Sequence, residues 1–306
     1  MIQTPMDVLR KFPVRKSARQ KQDFRSAVVP YMVSLGYSCK TESGKADSQN
    51  LIIGDPAKAE YLITAHYDTC ARMFLPNLIT PCNFWGFLGY QIFITLVMMC
   101  LPIIPGVIVG AILSPYTGYL IWYFGFIAIM FLMMIGPANP NNANDNTSGV
   151  VTVLEIARSL PAELRDKVCF VLFDLEERGL VGSRCYRAAH KEETNRQIIL
   201  NLDCVGDGDE IVLFPTKKLA KNPDKLAILR KIPHSDGKKS VKLHEKGFSV
   251  YPSDQRNFPY GVGIAAFKRK RGIGLYCDRI HTPKDTVLDE NNVNILRDRI
   301  IAAIAE

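Results

Sequence analysis

The sequence predicts an α/β protein with a mixed, mostly parallel β-sheet flanked by helices on both faces. A two-helix apolar hairpin is inserted near its site. Three observations carry this expectation. Short apolar, strand-like runs alternate with stretches of helical periodicity. Five polar clusters close such runs, in the order His66-Tyr67-Asp68, Asn144-Asp145-Asn146, Glu176-Glu177, Asp203 and His281-Thr282-Pro283. From Met73 to Asn144 the chain carries no Asp, Glu, Lys, Arg or His.

The elements follow in order. Lys16–Gly36 has Phe24, Val28, Tyr31, Met32 and Leu35 at helical spacing, and Pro30 is expected to interrupt it. Leu51–Ile53 and Tyr61–Ala65 read as strands, the second ending at His66. Ser148–Leu160 reads as a helix opening just after Asp145. Lys167–Asp174 is a buried strand ending at the glutamate pair, Val181–Lys191 a helix, and Gln197–Leu202 a strand leading to Asp203. Ile211–Phe214, Ile264–Phe267 and Ile273–Cys277 are further strands, and Asn292–Ala305 is an amphipathic closing helix. In a sheet covered on both faces, functional residues belong at the carboxyl ends of strands, where these clusters fall.

The uncharged stretch divides the chain. Residues 1–72 and 138–306 form one domain, and 73–137 form an insertion. Phe84–Leu113 and Tyr119–Ile135 are almost continuously apolar and are joined by the turn-like Ser114-Pro115-Tyr116-Thr117-Gly118. A bilayer span takes about 20 apolar residues, so both qualify. Trp85, Tyr90, Tyr116, Tyr119, Trp122 and Tyr123 fall where interfacial aromatics belong. Pro102 and Pro105 are expected to kink the first helix. A buried core hairpin or a dimerisation arm competes with this reading, but an uncharged hairpin of this length is unusual inside so small a domain. Arg72 and the basic N-terminal region flank the first span while the turn is uncharged. The expectation is therefore a two-span protein of the cell membrane with its catalytic domain in the cytoplasm.

Net charge is +8 over 306 residues, with basic runs at Arg10, Lys11, Arg15, Lys16, Arg19 and Lys21 and at Lys268-Arg269-Lys270-Arg271. No aromatic-rich motif accompanies them, so an anionic lipid bilayer is the expected partner rather than nucleic acid, against the plainer reading of a solvated basic face. The eight cysteines are scattered without a CxxC pair, which excludes a zinc finger or disulfide framework and suits a reducing compartment. The first residues hold no apolar signal-peptide core.

Taken together, the clusters supply two imidazoles, three carboxylates and one spare glutamate, the ligand inventory of a two-zinc hydrolase with a general base. Asp145, in a turn before a helix, is suited to bridge two metals. Asp68, two residues beyond His66 on the same strand face, is suited to accept the other imidazole N–H. Adjacent Glu176 and Glu177 diverge, so one can bind metal while the other acts as base. Singly, each cluster is more often ordinary surface or core chemistry; the ordered set is what is specific.

The stretches ITAHYDT, NANDNTSGV, FDLEERGLVGS, NLDCVG, YPSDQRNF and IHTPKDT resemble the co-catalytic di-zinc aminopeptidase family, which is related to glutamate carboxypeptidases and glutaminyl cyclases. They span most of the chain outside the insertion. The resemblance implies two Zn2+ per chain, one held by His66, Asp203 and bridging Asp145, the other by Asp145, Glu177 and His281. It implies Glu176 as general base, taking a proton from the water between the metals, with Asp68 assisting. The tyrosine that some members carry before the last metal histidine is replaced here by Ile280. Tyr251 is the candidate substitute and, with Asp254, the candidate substrate-binding pair. The expected activity is that of an exopeptidase, foremost an aminopeptidase, acting near the membrane on peptides, including apolar or membrane-associated ones. The alternatives are a one-zinc glutaminyl cyclase-like acyltransferase and a non-catalytic peptide-binding scaffold.

Overall fold

Tyr61–His66 (β3), Val168–Phe173 (β4) and Ile198–Leu202 (β5) are rich in β-branched and aromatic residues, and every residue in them is buried. The computed structural model describes residues 1–306. In it these strands form the parallel centre of a ten-stranded sheet. The other strands are Cys39–Ser43 (β1), Gln49–Ile53 (β2), Glu210–Pro215 (β6), His234–Ser235 (β7), Ser240–Leu243 (β8), Gly261–Lys270 (β9) and Gly274–Tyr276 (β10). The order is β1-β2-β4-β3-β5-β9-β6-β8-β7, with β10 paired to β9. Parallel pairing links β4, β3, β5 and β9 and recurs once between β6 and β8, while the remaining neighbours run antiparallel. The sheet is thus mixed, with its parallel strands concentrated at the centre.

Side-chain alternation divides the core between the two faces. Leu51, Ile53, Ile63, Ala65, Phe170 and Leu172 pack with the helices Ala18–Ser34 (α2), Gly149–Ser159 (α6) and Glu290–Ala305 (α11). Ile52, Leu62, Val171, Phe173 and Ile199 face the other way, towards Tyr186 on Val181–Ala189 (α7) and Phe258. A short helix, Asp7–Lys11 (α1), precedes α2. Pro30 does not interrupt α2, contrary to expectation. A capping box formed by Ser17 and Gln20 starts the helix, and buried Phe24, Val28 and Met32 hold it to the core. Lys191–Thr194 (α8), Lys217–Ala220 (α9) and Pro223–Leu229 (α10) complete the helices of this domain.

The insertion forms three helices: Phe84–Cys100 (α3), Ile103–Ile112 (α4) and Pro115–Ile135 (α5). Pro102 splits the first apolar segment in two and caps α4, while Pro105 lies in the first turn of α4, where its missing N–H has no intrahelical partner to lose. The expected turn at 114–118 is already helical. Ser114 caps α5 by accepting from the Thr117 amide, and Pro115 takes the first position. A Cβ on Gly118 would lie 2.4 Å from the Gly106 carbonyl oxygen, so glycine lets α4 and α5 touch backbone to backbone. Both arms are long and apolar enough to cross a membrane, and only 22% and 6% of their most apolar windows are buried, which separates them from core helices. At 1.5 Å per residue α5 is about 31 Å long, matching a hydrocarbon core of about 30 Å.

The basic runs are less free than they read. Arg15 and Lys21 are buried, Lys268 pairs with Asp207 and Asp278, and Arg269 pairs with Glu210. Lys16 donates to the Met134 carbonyl at the end of α5, joining the N-terminal segment to the insertion at 2.8 Å.

Candidate active site

Three neighbouring strands end at one place. His66 is the last residue of β3, Glu176 and Glu177 follow β4, and Asp203 follows β5. Because β3 lies between β4 and β5, the connection from β4 to β5 crosses over it, and the site lies at this switch in strand order. Leu175, Cys204 and His281 have φ of 56°, 56° and 62°, left-handed values that non-glycine residues rarely adopt. Each is a site residue or the immediate neighbour of one, so backbone strain of about 1–3 kcal/mol per residue is concentrated here.

Asp145 lies in the irregular turn before α6. Its flanking asparagines fasten that turn. Asn144 accepts from the amides of Gly206 and Asp207, while Asn146 donates to the Leu202 carbonyl and accepts from the Gly149 amide. Asp285 secures the same turn from the other side, accepting the amides of Asn144 at 2.7 Å and Asp145 at 3.0 Å.

The carboxylate held this way faces both histidines. Asp145 Oδ1 lies 3.2 Å from His66 Nε2, and Oδ2 lies 3.1 Å from His281 Nε2. Asp203 Oδ1 completes the first group at 3.6 Å from His66 Nε2, and Glu177 Oε2 the second at 3.6 Å from His281 Nε2. Asp203 Oδ1 and Glu177 Oε1 are buried without a hydrogen-bond partner. Buried carboxylate oxygens are costly unless paired or coordinating a cation. The donor set of imidazole nitrogen and carboxylate oxygen is the one zinc takes, so the residues fit two zinc ions sharing Asp145.

Protonation follows from the same crowding. Burial disfavours a charged His66, but the surrounding carboxylates of Glu176, Asp145, Asp203 and Asp68 outweigh it and lift the imidazole well above its usual range. His281 rises to about 9, where burial is overridden chiefly by Glu177 and Asp145. Burial pushes Glu177 up to about 7 against the pull of His281, and lifts Glu176 well above the usual carboxylate range against the pull of His66. Asp145 is the exception: burial pushes it up, but its two histidines draw it below the ordinary value.

Two expected roles change. Asp68 lies beyond the end of β3, and its carboxylate accepts the amides of Glu176 at 3.0 Å and Glu177 at 3.2 Å. His66 Nδ1 is closer to the Asp68 main-chain carbonyl, at 3.1 Å, than to its carboxylate, at 3.6 Å. Asp68 therefore anchors the glutamate turn, and main chain orients the imidazole. Tyr251 is buried and its hydroxyl donates to the Asp203 carbonyl at 2.9 Å, so its one proton is committed to the protein rather than offered to a substrate oxygen. Asp254 is fully buried with neither oxygen hydrogen-bonded, and burial lifts it to about 7.

Other contributors were not foreseen. Asp285 lies within the quoted HTPKDT stretch, which was the available signal. Arg15 is fully buried, donates to the Tyr67 carbonyl at 2.5 Å and to Thr147 at 3.1 Å, and supplies positive charge beneath Asp68 and Asp145. Lys21 is paired with Asp174, two residues before Glu176, at 2.7 Å. Cys70 lies beside Glu177 and His281, but its thiol is raised by burial and donates to Asn142.

The signature of peptidase family M28 matches residues 131–303, more than half of the chain and four of the five clusters. The chain belongs to peptidase family M28. Aminopeptidase YwaD of Bacillus subtilis (strain 168) is 42% identical over 73 residues, a stretch covering 23% of this chain and only 16% of that protein. Two solved structures share the fold. A glutaminyl cyclase from Porphyromonas gingivalis superposes with a TM-score of 0.60 at 16% identity, covering 99% of this chain and 96% of that one. The LapA aminopeptidase of Legionella pneumophila gives 0.58 at 15% identity, covering 99% and 68%. The α/β architecture expected from the sequence is thus that of the M28 fold.

Proposed function

We propose that this M28 protein is a membrane-anchored, two-zinc exopeptidase that removes residues from peptide N-termini. One observation carries the reading: the two oxygens of Asp145 face two different histidines, each with its own second carboxylate. On this proposal His66, Asp203 and Asp145 hold one zinc, and Asp145, Glu177 and His281 hold the other. When bound, the pair supplies Lewis-acid polarisation of the scissile carbonyl and lowers the pKa of water towards neutrality.

The remaining work falls to this chain. Glu176 lies within reach of His66 and Glu177 but outside the contacts that Asp145 makes with the two histidines, and its turn is anchored beside Glu177, so on this reading its carboxylate moves protons. It accepts one from the attacking water and returns it to the leaving amide nitrogen. Asp68 fixes the turn that aims it, and Arg15 offsets part of the negative charge beneath it. The aminopeptidase names of YwaD and LapA support peptide N-termini as substrates. Retention of the complete ligand set speaks against a non-catalytic scaffold.

The two apolar arms support a membrane hairpin, and the charge asymmetry around them supports a cytoplasmic catalytic domain. Profiling purified protein against aminoacyl and peptide libraries, before and after chelation, tests the function. N-terminal residues should be released only with metal, and zinc should restore release. Undiminished hydrolysis by metal-free protein, or cyclisation of N-terminal glutamine by protein holding a single zinc, would overturn it.

A further inference from the structure

The apolar insertion enters the candidate active site itself. The cavity above the carboxylates has a volume of about 310 Å³, and Phe87 and Gln91 of α3 line it alongside His66, Glu176 and His281. Phe87 and Gln91 are one helical turn apart, so the same face of the helix meets the cavity twice. Besides Phe87, the apolar part of the lining is Leu78, Ile79, Pro252 and Ile280, and the carboxylates of Asp145, Glu176, Glu177 and Asp203 supply its charge. A cavity of that volume equals about ten waters, room for one amino-acid residue with a substantial side chain.

The helix is fixed to the site rather than loosely tethered. Met73 donates its amide to the His281 carbonyl at 2.8 Å, and Ile79 and Cys277 exchange main-chain hydrogen bonds at 2.9 Å in both directions. Asn83 caps α3 through the Gly86 amide and donates its own side-chain amide to the Ile273 carbonyl at 3.0 Å. Tyr90 hydrogen-bonds back to Pro76, and the Phe84 ring meets Phe248 edge-on at 5.2 Å. The segment leading into the hairpin therefore runs along the loop that carries His281.

We propose that the first turns of α3 form part of the substrate pocket. Phe87, with Leu78, Ile79 and Ile280, makes the subsite for an apolar N-terminal side chain, and Gln91, one turn further along α3, lines the same cavity. This rests on the exopeptidase reading, and it makes the hairpin a specificity element as well as an anchor.

The test uses full-length, zinc-loaded protein in detergent with alanine, leucine and phenylalanine anilides, together with calorimetric binding of free alanine and leucine. Phe87 is half-buried, so Phe87→Ala should preserve the fold. It should lower the leucine-to-alanine ratio of kcat/KM by about tenfold or more, with the alanine substrate within about threefold of wild type. Free leucine should bind correspondingly more weakly, and Phe87→Leu should shift both readouts less, in the same direction. Ile92→Ala, at an exposed position of the same helix, should leave the ratio unchanged. An unchanged ratio and unchanged leucine binding in Phe87→Ala would overturn the subsite while leaving the exopeptidase reading intact. If wild-type protein cleaves no anilide but Phe87→Ala still weakens leucine binding, the activity assignment falls and the subsite stands.

Discussion

Replacing Asp68 with asparagine separates the two roles open to its carboxylate. In the structure its oxygens hold the amides of Glu176 and Glu177, at 3.0 and 3.2 Å, and leave the orientation of His66 to a main-chain carbonyl. Asparagine keeps one acceptor, turns an NH2 group towards the second amide and loses the charge. Hydrogen bonds to charged groups contribute about 1.5–3 kcal/mol and neutral ones about 1 kcal/mol, so losing one bond and weakening the other costs about 2–5 kcal/mol. At 1.36 kcal/mol per decade, half of that loss expressed in the aim of Glu176 lowers kcat by about 5- to 70-fold. Anilide kinetics, a thermal melt and zinc analysis on one preparation check it. The expected result is reduced kcat and Tm with both zinc ions retained. Full kcat accompanied by loss of one zinc would show that the carboxylate serves His66 instead, and would refute the anchoring argument.

Three further outcomes follow from the same geometry. Glu176→Gln should lower turnover about 10²- to 10⁴-fold with metal retained, whereas Glu177→Gln should empty one metal position; equal zinc loss in both would reverse their roles. In metal-free protein, Glu177, Asp285 and His281 have values raised to about 7, 8 and 9, from ordinary values of 4.5, 3.8 and 6.5. Each contributes stability in full below its ordinary value and loses it as pH rises through the raised one, so the metal-free Tm should fall between about pH 4 and 9 and bound zinc should flatten that slope; a metal-free Tm rising over this window contradicts the account. For topology, a thiol placed beside Thr117 should be labelled from outside intact cells and one near Lys239 should not; the reverse pattern would put the catalytic domain outside.

What the sequence disclosed follows from where the physics is local. β3, β4 and β5 are legible because strands buried on both faces read as unbroken apolar runs, and each ends at a polar cluster. β1 and β8 escaped because CKTES, at the sheet edge, and SVKL, next to the two-residue edge strand β7, are short strands with polar, partly exposed side chains, stabilised by pairing that no periodicity records. The proposed ligand residues stand out by type, whereas their supports do not. Arg15 looks like one more basic residue until Tyr67 and Thr147 enclose it, and Asp285 acts on main-chain amides that carry no sequence mark. Tyr251 shows the converse, a plausible side chain whose hydroxyl is already taken. Phe87 and Gln91 were concealed by the apolar run around them, since a pocket wall and a bilayer-facing helix share the same residue types.

The most direct test of the proposed two-metal centre is zinc counted per chain in wild-type protein and in Asp145→Asn and His281→Ala. If Asp145 serves both groups, wild-type protein should hold two zinc ions, His281→Ala one, and Asp145→Asn should bind both weakly enough to lose them on dialysis. A single zinc in wild-type protein, or an Asp145→Asn variant that keeps its full complement, would contradict the shared site.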